Sequence, residues 1–273
     1  MTEHQNPVIA NQWRGLRSYT DARIGLGRAG VGLPTSELLA FQLAHAQARD
    51  AVHLPLDTAA LIQGLETAVQ DHLSAAPLVL QSCAADRLTY LQRPDLGRQL
   101  SQHSQAILQS VPTRASVDLA IVIVDGLSSV GVQNSAAPLV GQLLDMLDRD
   151  DRAWRLAPVT VVQQGRVAIG DEIGERLQAR MVAVLIGERP GLSSPDSMGI
   201  YLTYDPKPGV NDAGRNCLSN IRAAGMAVED ACHRLLYLMR EANRLRVTGV
   251  GLKDRTEETE LAAGRANKNF LTR

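Results

Sequence analysis

The period of the apolar positions changes near the middle of the chain. Before Val111 they recur every three or four residues, and SELLAFQLAHAQARDAVH and DTAALIQGLETAVQDHL read as amphipathic helices. The first starts at Thr35 with Glu37 in its first turn, and Pro55 closes it. The second takes Asp57 as N-cap and sets Leu61, Leu65, Val69 and Leu73 on one stripe. PDLGRQLSQHSQAILQSV reads as a further helix. After Ser116 come DLAIVIVDG, APVTVVQQG and MVAVLIGERPG, short β-branched runs that each end in a glycine-bearing loop. Between them SAAPLVGQLLDMLD and GDEIGERLQAR are helical in spacing despite Pro138. SMGIYLTYDP looks like another strand and MAVEDACHRLLYLMREANRL like a long closing helix.

This alternation predicts an α/β fold: an open, mostly parallel sheet with helices on both faces, Rossmann-like, preceded by a smaller N-terminal helical region. The expected division is 1–110 helical, 111–254 α/β, and a polar tail 255–273 that is loosely ordered. A chain of 273 residues with 45% hydrophobic positions can bury an ordinary core. The net charge of −1 argues against a broad basic field for nucleic acid or an acidic membrane surface, and 3% aromatics against base-stacking platforms. Cys83, Cys217 and Cys232 form no CxxC pair, which suits a reducing cytoplasm. No apolar run approaches the length of a membrane span, and MTEHQNPVIANQW lacks the order of a secretory signal.

GLGRAG, Gly25 to Gly30, fits the glycine spacing of a dinucleotide loop, with Asp50 some twenty residues on. Its context argues otherwise. RSYTDARI is no buried strand, Pro34 opposes a helix under way, and Asp50 falls inside a helical run. The bland reading is a loop whose glycines pack closely against a partner. In an open parallel sheet, ligands sit beyond the carboxyl ends of the strands, where loops converge with free backbone donors. That rule selects Asp125 and Gly126, then Gly165, Arg166 and Val167, then Gly187 to Gly191, with Glu188 and Arg189 side by side before Pro190.

Catalytic constellations are absent from the sequence: there is no GxSxG, GxxxxGKT or HExxH. His45 and His53 share a helix face with Gln42 and Arg49, but eight residues span about 12 Å, too far for a shared metal ion. That stripe faces either solvent or another subunit. His233 reads as structural, and Cys217 has no histidine near it in sequence to activate it. From the residues alone, this is a ligand-binding α/β domain with a helical appendage and neither catalytic nor metal-ligating residues.

RIGLGRAGVGLPTSELLAFQLAHAQARDAVH, DRLTYLQRPDLGRQL, IVDGLS, LIGERPGLSSPDSMGIYLTY and RNCLSNIR, in this order from about Leu16 to Asp254, resemble the small subunit of ethanolamine ammonia-lyase. The resemblance implies an adenosylcobalamin enzyme converting ethanolamine to acetaldehyde and ammonia. In that family the large subunit holds substrate and the small subunit helps enclose the cobalamin. It implies cofactor contacts at Val167 in QGRV, Glu188 in GERPG and Cys217 in RNCLSN, with the Cys217 stretch a loop packed on the cofactor. Six large and six small chains are expected, with the N-terminal glycine loop and the Gln42–His53 stripe at the interface. No DxHxxG motif occurs, so the cofactor's own dimethylbenzimidazole is expected to stay on cobalt (base-on). The location expected is cytoplasmic; enclosure in a bacterial microcompartment and the role of the tail after Asp254 stay open. The alternative is a stand-alone doubly wound ligand- or nucleotide-binding protein.

Overall fold

The computed structural model describes residues 7–69, 72, 75–112 and 117–256. The elements follow from local chemistry. A short hairpin of β1 (Val8–Ile9) and β2 (Arg28–Ala29) precedes α1 (Thr35–His53) and α2 (Thr58–Val69). Asp57 caps α2, its carboxylate accepting the Ala60 N–H at 3.0 Å, and Leu61, Leu65 and Val69 are buried as their spacing requires. Leu73, the last position of that stripe, lies outside the described residues.

A six-stranded sheet forms the rest of the scaffold, in the order β3 (Leu78–Gln81), β5 (Thr160–Gln163), β4 (Val117–Val124), β6 (Ala179–Gly187), β7 (Met198–Tyr204) and β8 (Asn216–Ile221). The first four are parallel and the last two antiparallel. The open, mostly parallel α/β sheet read from the sequence is therefore observed. It is extended at both edges by strands that were not foreseen, β3 and β8. The helix expected over PDLGRQLSQHSQAILQSV is broken. Leu96–Arg98 is a 3-10 turn and α4 (Gln102–Ser110) starts afresh, because the Ser101 hydroxyl accepts the Ser104 N–H.

Alternation along the strands builds two apolar layers. Leu119, Ile121 and Ile123 of β4 and Met181, Ala183 and Leu185 of β6 pack under α5 (Ser129–Asp148) and α7 (Val228–Leu245), with α2 against α5. Val122, Val124, Val182, Val184 and Ile186 face the other way, toward α4 and α6 (Ile169–Arg176). Pro138 sits inside α5 on its exposed side, so the carbonyl it leaves without an N–H partner faces water. The two layers diverge at the antiparallel edge. Met198, Ile200 and Leu202 of β7 and Leu218 and Ile221 of β8 join the α5/α7 layer, whereas the opposite face carries Gly199, half-buried Tyr201, Thr203 and exposed Cys217 and Ser219.

At the amino end of β4, the buried Asp118 carboxylate receives Arg152 at 2.7 Å, Arg180 at 3.2 Å, Arg155 at 3.5 Å and the Arg155 N–H at 3.0 Å. Burial alone would raise this carboxyl. The N–H and the three guanidiniums outweigh it and hold the group below its ordinary 3.8. A depressed folded-state value means stability that is present above 3.8 and lost as pH falls through it. Urea unfolding of the parent and Asp118→Asn should therefore show a stability gap that closes as pH drops below about 4. A gap constant down to pH 3 would contradict this account.

Candidate functional site

The carboxyl ends of the parallel strands were expected to offer free backbone donors. At β4 and β5 they do not. Asp125, almost fully buried, accepts the N–H groups of Gln164 at 2.8 Å and Gly165 at 3.1 Å, and the Arg166 N–H goes to the Gly97 carbonyl at 2.7 Å. Arg87, in the first turn of α3 (Arg87–Gln92), reaches within 3.6 Å of Asp125 and donates to the Gly126 carbonyl at 2.8 Å. Burial pushes the Asp125 carboxyl up to about 6 despite those donors and Arg87. The crevice between β4 and β5 is filled by the protein's own side chains, so Asp125 and Arg166 are occupied internally.

The accessible chemistry lies further along the sheet, on the face of β7 and β8 turned away from α7. Glu188 follows β6 directly. Its N–H donates to the Ser197 carbonyl at 3.0 Å, and its Oε2 accepts the Asn220 N–H at 3.1 Å. Gly199 lies beneath the same carboxylate, where a Cβ would come within 2.9 Å of Oε1. Cys217 stands opposite Tyr201 in the strand register. Cys217 is in β8 and not in a loop, which corrects the expectation from the sequence. Partial desolvation raises the Tyr201 hydroxyl to about 12, with the thiol and Glu188 adding to it. Desolvation raises the thiol as well, and the Glu188 and Asp212 carboxylates oppose its ionisation. Both groups are therefore neutral at pH 7, and a neutral thiol with no imidazole beside it among the described residues is a poor nucleophile.

Val167 lies between β5 and α6, half-buried, and borders the same apolar layer as Tyr201. Glu188, Tyr201 and Cys217 thus converge on one surface, and Val167 borders the layer beneath it. Tyr201 and Asn220 were missed in the sequence. The signal for Tyr201 was present in SMGIYLTYDP, whose alternation sets it opposite Met198, Ile200 and Leu202.

Elsewhere, Gly25, Gly27 and Gly30 have positive φ, and no strand leads into GLGRAG and no helix starts on it. The pyrophosphate-binding arrangement is absent there. Asp50 is inside α1. Gln42, His45, Arg49 and His53 are exposed along α1, whose buried residues are Ala44 and Ala51. Trp13, Tyr19, Val31, Leu39 and Leu43 add exposed apolar surface to the same region. Among the described residues no cluster of metal-ligating side chains occurs and no helix is long and apolar enough to cross a membrane.

A mixed sheet whose ordinary crevice is self-filled, and which instead presents a polar, nucleophile-poor face at its antiparallel edge, defines an α/β protein with an open face at one side of the sheet. Sequence comparison makes the class specific. The profile of the ethanolamine ammonia-lyase light chain (EutC) matches residues 10–253. The ethanolamine ammonia-lyase small subunit of Azotobacter vinelandii is 53% identical over 270 residues, 98% of this chain and 97% of that one. Those of Ralstonia nicotianae and Xanthomonas campestris pv. campestris are 54% and 52% identical, covering 97% and 95% of this chain and 95% of each relative. The chain belongs to the ethanolamine ammonia-lyase small-subunit family.

Proposed function

We propose that this chain acts with a large subunit as an adenosylcobalamin-dependent ammonia-lyase, converting ethanolamine to acetaldehyde and ammonia, and that it encloses the cobalamin on the face made by Glu188, Tyr201 and Cys217, with Val167 at its border. The observation that carries this reading is that face itself. It is open, lined by small or neutral groups, and edged by one carboxylate with lone pairs to spare.

The donor set suits the ligand. A corrin is a broad, largely apolar ring fringed with amide groups. Glu188 can accept from such amides, Gly199 keeps the surface low, and the uncharged thiol and phenol pack without a charge to desolvate. The described histidines lie on α1, just after α2, on α4 and on α7, so none belongs to this face. That supports the base-on form. Electron spin resonance of the complex with the cobalt(II) cofactor is expected to show splitting from the dimethylbenzimidazole nitrogen, and splitting from a protein histidine would overturn the assignment. When bound, the cofactor supplies radical initiation by homolysis of its cobalt–carbon bond. The residues of this chain bind, orient and exclude water, and none is assigned a proton transfer.

The exposed apolar positions of the N-terminal arm and the Gln42, His45, Arg49 and His53 stripe are assigned to the large-subunit interface, with six copies of each chain in the assembly. Substituting Arg28 and Arg49 should weaken co-purification with the large subunit, and unchanged recovery and activity would remove this assignment. The central test is acetaldehyde formation from ethanolamine and adenosylcobalamin with this chain alone, the large subunit alone and both together. Activity is expected only in the combined sample. In that sample Glu188→Ala should weaken cofactor binding roughly ten- to hundredfold, the usual effect of losing a hydrogen bond to a charged group. A stable complex without activity would refute the lyase reading.

A further inference from the structure

Arg87 touches three parts of the molecule that the proposed function treats separately. Its Nε donates to the Val52 carbonyl in the last turn of α1 at 2.7 Å, and its Nη1 to the Gly126 carbonyl at 2.8 Å, 3.6 Å from Asp125. Asp125 in turn holds the Gln164 and Gly165 N–H groups, two residues ahead of Val167. A Cβ on Gly126 would overlap the Gly187 carbonyl oxygen, one on Gly187 would overlap the Ser128 carbonyl oxygen, and the next N–H, of Leu127, donates to the Gly187 carbonyl at 2.9 Å, directly before Glu188. Tyr90, fully buried, carries the Arg87 guanidinium 4.9 Å and the Arg166 guanidinium 4.3 Å from its ring centroid. None of these groups reaches the open face.

We propose that Arg87 is a positioning residue: one partly buried guanidinium sets the Val167 and Glu188 loops against helix α1, and so couples docking of the large subunit on α1 to the holding of the cofactor. The proposal rests on the lyase reading. The chemistry requires arginine. Its planar fork makes two divergent hydrogen bonds and faces a carboxylate and a ring at once, whereas a lysine ammonium keeps the charge but loses that fixed geometry. Losing it frees the carbonyl of Gly126 and lets the two strand ends shift relative to α1, and displacements of an ångström at supporting residues are enough to cost affinity.

The experiment compares the two-subunit complexes of the parent, Arg87→Lys and Asp118→Asn, the last a destabilised control at the opposite end of β4. Adenosylcobalamin is titrated by absorbance for Kd, and kcat and cofactor KM are measured with ethanolamine. Arg87→Lys should assemble, keep kcat within about twofold, and raise cofactor Kd and KM about tenfold, the lower end of what losing an orienting partner costs at other sites. Asp118→Asn should leave both constants at the parent value. If Arg87→Lys fails to assemble, Tyr90→Leu, which removes the ring both guanidiniums lie against, carries the same expectation. A folded Arg87→Lys complex with the parent's Kd overturns the positioning role, as does an equal rise in Asp118→Asn. A parent complex that binds no adenosylcobalamin overturns the lyase reading, and this proposal with it.

Discussion

Arg215→Met should lower the stability of the folded chain by about 3–5 kcal/mol, the range seen when one partner of a buried ion pair is removed. Arg215 and Asp171 are both almost fully buried and meet in a two-point pair at 2.6 Å and 2.6 Å. The same guanidinium donates to the Thr203 hydroxyl at 2.9 Å and the Val210 carbonyl at 2.7 Å. Methionine fills much of the volume but leaves the Asp171 carboxylate without a counter-charge. Burial already raises that carboxyl above its ordinary value despite Arg215, so removing the guanidinium raises it further. A raised folded-state value favours the protonated form. The deficit should therefore be greatest near neutrality and shrink as pH falls, because protonation relieves the orphaned charge. Asp171→Leu combined with Arg215→Met should recover most of the loss, since a matched apolar pair often equals or exceeds a buried ion pair. Denaturant unfolding of the single and double variants measures both effects, and a single-variant loss under about 1 kcal/mol would refute the assignment.

This pair also shapes the proposed face. Asp171 is in the first turn of α6, just after Val167, while Arg215 immediately precedes β8 and Cys217. The staple fixes the helix on one side of the face against the strand on the other. In the sequence it was invisible, because two charges 44 residues apart read as separate surface positions until the fold brings them together.

The same limit explains what else was hidden. The central strands were legible because β4 and β6 are buried on both faces and their runs are continuously apolar. NCLSNI in β8 shows no such run, since it is antiparallel and faces the open side with Cys217 and Ser219. LVLQ in β3 is four residues at the sheet edge, too short for its period to declare itself. The strand-end rule picked out the Glu188 loop and, equally, Asp125 and Arg166. Only the fold separates them, because the groups that satisfy Asp125 lie 39 and 40 residues away. Val167 was marked by the strand-end rule as well as by the family resemblance, whereas Cys217 was reached as a cofactor contact through the resemblance alone.

The glycine at the end of β6 is where fold and proposed site depend most directly on one atom. A Cβ on Gly187 would overlap the Ser128 carbonyl oxygen and lie 2.5 Å from that of Asp125. Both obstacles are backbone, held by the Leu127 N–H to Gly187 and by the start of α5, where the Ser128 hydroxyl accepts the Gly131 N–H. Neither can rotate aside, so Gly187→Ala must part the ends of β4 and β6 or expel the loop bearing Glu188. Overpacking of this kind costs about 1–3 kcal/mol when neighbours can adjust and more when they cannot, so a loss of about 3 kcal/mol or above is expected. Whatever folds should also bind adenosylcobalamin far less tightly, because Glu188 is the next residue. Gly191→Ala, four positions on, is the local control: its Cβ would meet first the rotatable Ser194 hydroxyl, at 2.8 Å, and both stability and cofactor affinity should stay near the parent's. Thermal unfolding and cofactor titration of the two complexes decide the matter. A Gly187→Ala protein as stable as Gly191→Ala would mean that the strand ends yield freely, and a stable one that had lost the cofactor would locate the constraint in the Glu188 loop alone.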